Sequence, residues 1–478
     1  MKHLYIFLFA FLTFSVAKGQ QDKVFDITFK IKGVKNETAI LGFYYGDKKL
    51  IADSIKFDEN GIGKIQGIKE NLTDGIYLVV FPSMKYRYFD FVMKEKVYSI
   101  SGDTANFDKL ESKGSIENEV FFKDTKALGL FQFQLMAAKK SMDSVAKIDS
   151  SKVAFWKDKI EDIQTQQEKH RAATIAKYPN LFYTKVIKML HEPDIEKPLK
   201  RADGTYDSLY PLLKARKDFL ADIDFKDSCI IKTPVLYNKL FTYINNYYSP
   251  EPDSVIVACD ELIAQSKNSN LYQFLCVELL NKYATSGIMG HDAIYVHLAE
   301  KYYLPRKATW SDSATLAKIQ ESVFYLKPTL IGSYAPRITG LNKDSTKAVV
   351  IDSIIFKHDF TIIAFWDPEC SHCKTEMPVL TRLWRDTLQY DKIGLVGVCV
   401  DRNKDKMNDF IVKNGISDLK YQIYDPTGKA IWRSYYDLRS TPLVLIVDKK
   451  GKIVAKRIDA KDIYWYLENW KKGHPKTN

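Results

Sequence analysis

The sequence has no second Cys-x-x-Cys. Its six cysteines are spread over 478 residues, and only Cys370 and Cys373 stand three apart. A tetrahedral structural zinc site usually draws on two such pairs. That reading is therefore disfavoured, and the nearest histidine outside the pair is His358. No cysteine lies near residue 19, which excludes lipid attachment at a new N-terminal cysteine. No fixed repeat period appears, so a solenoid is unsupported. His291 and His297 are six apart and do not share the i,i+4 face that helical metal pairs use. These two, with the isolated His170 and His191, read as structural or surface residues. Basic blocks are absent as well. The net charge is +12, or +10 without Lys2 and Lys18, and the lysines alternate with acids, as in Lys157-Asp158-Lys159-Ile160-Glu161. This is a solvated surface rather than a nucleic-acid face. Asp425-Pro426-Thr427-Gly428-Lys429 has Ile423 where a phosphate loop needs glycine, so it reads as a turn.

What is present falls into three stretches after a short leader, in line with about 150 residues per domain. Residues 1–19 read as a signal peptide: Lys2, an apolar core from Leu4 to Val16, then Ala17-Lys18-Gly19. The core is too short to span a bilayer comfortably. The expectation is a soluble, exported protein of the periplasm or cell envelope, where disulfides persist. From 24 to 110, Phe25-Asp26-Ile27-Thr28-Phe29-Lys30-Ile31 sets an alternating pattern that recurs between turn signals such as Gly46-Asp47 and Asn60-Gly61. This predicts an antiparallel β-sandwich. From 115 to 328 the period becomes helical, punctuated by Pro179, Pro234, Pro250, Pro252, Pro305 and Pro328. Cys259 and Cys276 sit among apolar residues there and read as buried thiols, with a disulfide among Cys229, Cys259 and Cys276 as the alternative. From 330 to 472, strand and helix patterns alternate and end in a hairpin around Asp448-Lys449-Lys450-Gly451, an α/β layout.

The chemistry concentrates at Phe365-Trp366-Asp367-Pro368-Glu369-Cys370-Ser371-His372-Cys373. An apolar strand pattern, Phe360 to Ala364, precedes it. A helical one follows, with Met377, Leu380, Leu383 and Trp384 along one face. Cys370 thus falls at a helix N-terminus, where unpaired N–H groups and the dipole favour a thiolate. Cys373 lies on the same face, within reach of a disulfide. A redox dithiol follows from strand, CxxC and helix in that order. Cys399, on the apolar run from Ile393 to Val400, reads as inert packing.

Trp366-x-x-x-Cys370-x-x-Cys373 followed by Pro378 resembles the thioredoxin active site, and Lys374-x-Glu376-x-Pro378 narrows the resemblance to the ResA/TlpA-like periplasmic thiol–disulfide oxidoreductases. Ser440-Thr441-Pro442-Leu443-Val444-Leu445-Ile446-Val447-Asp448 resembles that family's cis-proline segment, and Gly332-Ser333-Tyr334-Ala335-Pro336 its leading segment. The β and helical stretches resemble regions of unknown function that precede thioredoxin modules in some exported proteins. The resemblance implies a thioredoxin fold over 330–472 and a cis Thr441–Pro442 bond. It makes Cys370 the attacking thiolate and Cys373 the resolving thiol, with Glu376 as the acid that moves protons beside them. Trp366, Thr441 and His372 are expected to face substrate. Two departures stand out: Ala364 replaces thioredoxin's buried acid, and Glu369 its tryptophan.

The expected partners are cysteine-containing protein substrates and an unidentified redox protein, which could be membrane-bound, with no nucleic acid. The two sulfurs call for no cofactor and no metal. The alternative is a binding or adaptor protein that uses the dithiol as a redox sensor. A donor or cation at His372 would stabilise the Cys370 thiolate and hence the reduced state. His372→Pro should therefore lower the reduction potential. Equilibration with glutathione measures it, and an unchanged or higher potential would contradict the assignment.

Overall fold

The computed structural model describes residues 24–69, 72–146 and 152–473. The expected signal peptide lies outside them. The chain divides into two compact units, residues up to 249 with 260–275, and residues 250–259 with 276 onward.

Alternation builds the first unit. In Val24–Lys32, Phe25, Ile27, Phe29 and Ile31 are buried while Asp26, Lys30 and Lys32 are exposed. Two four-stranded sheets result. One runs Ile62–Ile68, Val24–Lys32, Val97–Asp103, Asn106–Lys113; the other runs Lys48–Lys56, Thr38–Tyr45, Gly75–Phe81, Arg87–Met93. Their faces meet through aromatic rings, with Phe29 5.4 Å from Phe91 in an edge-on contact. One pairing, Val24–Lys32 with Val97–Asp103, is parallel, where alternation alone predicts antiparallel neighbours. The helix Ile116–Ala146 starts against the edge strand Arg87–Met93. There the Asn118 side chain accepts from the Val92 N–H and donates to its carbonyl, both at 2.8 Å. Helix Val153–Lys177 packs back on it over Leu135, Ala138 and Ile163.

The second unit is a seven-stranded sheet with helices. Its order is Ala348–Val350, Thr339–Asn342, Tyr421–Tyr424, Ile393–Cys399, Phe360–Trp366, Leu443–Asp448, Ile453–Lys456. Phe360–Trp366 lies parallel to Ile393–Cys399 and antiparallel to Leu443–Asp448. Every residue of the first two strands is buried, which matches their unbroken apolar runs. One face packs under helices Ser371–Asp386, Lys404–Lys413 and Ile463–Gly473, the other under Ile354, Ile355, Trp432 and Tyr436. Strand Ala348–Val350 gives way to a short helix at Asp352, whose carboxylate suits a first helical turn.

Helices Asp292–Leu298 and Ser313–Leu326 belong to this unit, and the first reaches the edge strand Ile453–Lys456 through Asp292. Lys456 is 4% exposed and donates to Asp292 and to the Thr329 hydroxyl. No helix among the described residues is long and apolar enough to cross a membrane.

Trp366 closes the central strand. It is fully buried and stacks on Phe410, 4.5 Å between centroids. Trp366→Ala should cost about 3–5 kcal/mol through the cavity it leaves. Urea-dependent release of the buried Cys373 and Cys399 thiols to a thiol reagent measures it. Trp366→Phe should lose much less, because the indole N–H finds no acceptor among the described residues.

Candidate functional site

The two cysteines are placed by a strand end and a helix start. After Trp366 the chain turns through Asp367-Pro368-Glu369, with the Asp367 carboxylate accepting the Glu369 N–H at 2.8 Å. Cys370 is the N-cap of Ser371–Asp386, with extended backbone at φ −75° and ψ 120°. Its own N–H donates to the Asp367 carbonyl at 3.2 Å, and its carbonyl accepts from Lys374 at 3.3 Å. The sulfur is half-buried, whereas Cys373 is wholly buried against Met377 and Leu380. Both are thiols, as are Cys229, Cys259, Cys276 and Cys399. Pro378 lies inside the helix and removes the rung to the Lys374 carbonyl.

Across from the dithiol runs the segment before strand Leu443–Asp448. The Thr441–Pro442 peptide is cis, and the Cys370 thiol donates to the Thr441 carbonyl at 3.0 Å. That segment is held from behind. Buried Asp437 accepts from Arg439 Nε at 2.6 Å and from Arg457 at 2.6 Å, tying it to the end of strand Ile453–Lys456. Tyr436 donates to the Pro336 carbonyl at 2.6 Å and packs 4.5 Å from Phe365. Burial opposes ionisation of Asp437, but the Arg439 hydrogen bond and the two guanidinium charges hold its carboxyl below the usual range.

The two sulfurs sit in unlike fields. Partial burial works to raise the Cys370 thiol. Hydrogen bonds from the Thr441 side chain, from Cys373 and from the backbone at His372 and Cys373 outweigh it and hold the thiol below its ordinary value. Burial drives the Cys373 thiol upward, and charge on Cys370 pushes the same way. Cys399 is also raised, to about 12, by burial at the end of its strand, in keeping with an inert thiol.

The remaining expected residues are placed as follows. His372 is exposed between the cysteines. Glu376 is half-buried and accepts the Ala460 N–H at 3.2 Å, which links it to the turn leading into Ile463–Gly473. Thr441 contacts Cys370 directly. Trp366 requires a correction: at 0% exposure it supports the strand from within the core and has no surface to offer a substrate. Glu369, in place of a tryptophan, forms an exposed pair with Lys406 at 2.6 Å. The sequence reading missed Asp437, Arg439 and Arg457. Only the nearness of Asp437 and Arg439 to Ser440-Thr441-Pro442 hints at them, since Arg457 arrives from beyond the far end of strand Ile453–Lys456.

Residues 358–453 match the model of the family described as thioredoxin-like. The thiol-disulfide oxidoreductase ResA of Bacillus thuringiensis is 27% identical over 126 residues, 26% of this chain and 67% of that protein. Among solved structures, the thioredoxin domain of a thiol-disulfide oxidoreductase from Bacteroides vulgatus is 27% identical, with a TM-score of 0.26, over 29% of this chain and 96% of its own. A thiol:disulfide interchange protein from a Bacteroides species is 25% identical, with a TM-score of 0.26, over 30% and 95%.

The unequal fields set a pH signature. Alkylation of Cys370 by iodoacetamide should titrate below an ordinary thiol, because its thiolate persists to lower pH. Cys373→Ala removes one donor and should move the midpoint upward; coincident profiles would refute the role given to Cys373. The chain thus carries, in residues 358–453, an oxidoreductase domain of the thioredoxin-like family.

Proposed function

We propose that the protein is an exported thiol–disulfide oxidoreductase that exchanges disulfides with cysteine-containing proteins through Cys370 and Cys373. The observation that carries this reading is the Cys370 thiol, reachable from solvent and set 3.0 Å from the Thr441 carbonyl, with a buried thiol one turn behind it. The thiolate of Cys370 attacks one sulfur of a substrate disulfide. A mixed disulfide forms, and the other substrate sulfur leaves as a thiolate that takes up a proton. Cys373 then loses its proton, with Glu376 as the acceptor at the base of the helix, and attacks Cys370. The second substrate sulfur departs with a proton. The substrate gains two electrons and two protons, and Cys370–Cys373 becomes the disulfide.

A second redox protein must return those electrons, and in the cell envelope a membrane-bound donor would serve. Reduction or isomerisation is favoured over oxidation by analogy with the ResA relatives. The polypeptide nature of the substrate is supported by the Thr441 backbone, which lies open to pairing with an extended chain once the thiol has reacted.

Cys370→Ser should abolish reduction of insulin disulfides. Cys373→Ser should instead accumulate a mixed disulfide that a reductant releases. Glu376→Gln should slow resolution by about 100-fold while leaving formation of the mixed disulfide intact. Insulin reduction persisting in Cys370→Ser would defeat the reading.

A further inference from the structure

Helix Ile116–Ala146 is held along one side and bare along the other. Phe131, Leu135 and Ala138 meet Trp156, Ile160 and Ile163 of helix Val153–Lys177. At the helical period, Gly129, Leu130, Phe133, Met136 and Ala137 fall on the opposite side. Leu130 is 60% exposed, Phe133 73% and Met136 63%. Large apolar side chains grouped in water add nothing to the fold and mark a contact surface. Gly129 points the same way. A glycine inside a helix is destabilising, and a Cβ there would meet nothing within 4 Å, so internal packing does not call for it. Its effect is to flatten the outer face.

Charge says what covers this face. From Ala127 to Ala138 the helix carries no charged residue. Lys126 and Lys140, each seven residues from Phe133, stand in line with it at the two ends of the patch, and both are exposed. The acid before the patch, Asp124, is buried and bonded to His170 and Tyr183. The acid after it, Asp143, lies beyond Lys140. On the neighbouring helix, Asp158, Glu161 and Asp162 sit opposite Trp156, Ile160 and Ile163, on the side turned away from Ile116–Ala146. The patch is thus apolar in the middle and cationic at both ends.

A second copy of the chain fits it poorly. Paired copies close by two-fold symmetry. Parallel pairing sets each lysine against itself, and antiparallel pairing centred on Phe133 sets Lys126 against Lys140. Either brings like charges together with no acid between them. An anionic lipid surface meets both features, offering phosphates to the lysines and an apolar layer to the side chains between them. We propose that the outer face of helix Ile116–Ala146 docks on an anionic membrane surface, with Leu130, Phe133 and Met136 entering the headgroup layer and Lys126 and Lys140 pairing with lipid phosphates. The inference does not depend on the exchange reading. It gives the helical stretch the task of holding the chain at a membrane.

The test uses the protein without residues 1–19, so that the expected leader cannot bind lipid itself. Flotation compares vesicles of phosphatidylglycerol mixed with phosphatidylcholine against vesicles of phosphatidylcholine alone, and only the first should carry the protein. Partitioning should fall about tenfold in Phe133→Ser and about fivefold in each of Lys126→Gln and Lys140→Gln. Phe133→Trp should retain it. Insulin reduction in solution should be unchanged in Phe133→Ser, which separates lost docking from lost folding or exchange. Equal binding to both vesicle types, binding to neither, or binding unaffected by Phe133→Ser would overturn the inference and leave the exchange reading standing. A dimer in sedimentation velocity that Phe133→Ser dissolves, without vesicle binding, would overturn it in favour of a second copy.

Discussion

The contact between the Cys370 thiol and the Thr441 carbonyl joins positions 71 residues apart, and the sheet makes it unavoidable. Cys370 follows the C-terminal end of strand Phe360–Trp366. Thr441 precedes the N-terminal end of Leu443–Asp448. The two strands are antiparallel with Phe365 opposite Leu443, so both segments emerge at the same edge of the sheet. A slip of one residue would turn every side chain of a strand to the other face. With Phe360–Trp366 buried on both faces, such a slip disrupts two cores at once. The register that keeps the core intact is thereby the register that sets sulfur against carbonyl.

From that placement follows the inequality of the two sulfurs. Cys370 sits just outside the first helical turn, where N–H groups have no helical partner and the dipole adds about 0.3–1 kcal/mol in favour of negative charge. Cys373 sits one turn inside, beneath Met377 and Leu380. Attack on a disulfide needs a thiolate that a partner can reach. Resolution needs a thiol that keeps its proton until the mixed disulfide has formed, because an early second thiolate would repel the first. One helix turn satisfies both demands, since burial falls on one sulfur and hydrogen-bond donors on the other. In the proposed exchange, the order of events is written into a difference in solvation rather than into a moving part.

Much of this was legible from residue order. Strand alternation in 24–93, the helical periods of the middle stretch and the CxxC at a strand–helix junction all survive in the structure. What was missed has physical causes. Asn106–Lys113 is an edge strand with only Leu110 buried, so it carries almost no apolar period. Thr339–Asn342 and Tyr421–Tyr424 are four residues each, too short to show one. Trp366 looked like a ligand-facing aromatic because it borders the motif. In a strand buried on both faces, alternation cannot reveal that such a residue is interior. The Asp437 clasp needs Arg457, twenty residues on and just past the edge strand Ile453–Lys456, and no local pattern joins them.

The edge strand Ile453–Lys456 shows why the helical residues after 276 and the thioredoxin-like sheet form one unit. A sheet edge with open N–H and C=O groups invites pairing with other chains. Here all four residues are buried. The segment at Gly332-Ser333 exchanges hydrogen bonds with Ile453 at 2.8 and 2.9 Å, and the helix starting at Asp292 covers Lys456. Burying that lysine is tolerable only with its partner, since breaking a buried pair from one side costs about 3–5 kcal/mol. The helical segment therefore cannot leave the sheet without stranding a charge. The same attachment places Met289 and Ile288 on a cavity that Ser440, the neighbour of Thr441, also lines. A device that protects an edge thus also walls a cavity behind the proline segment.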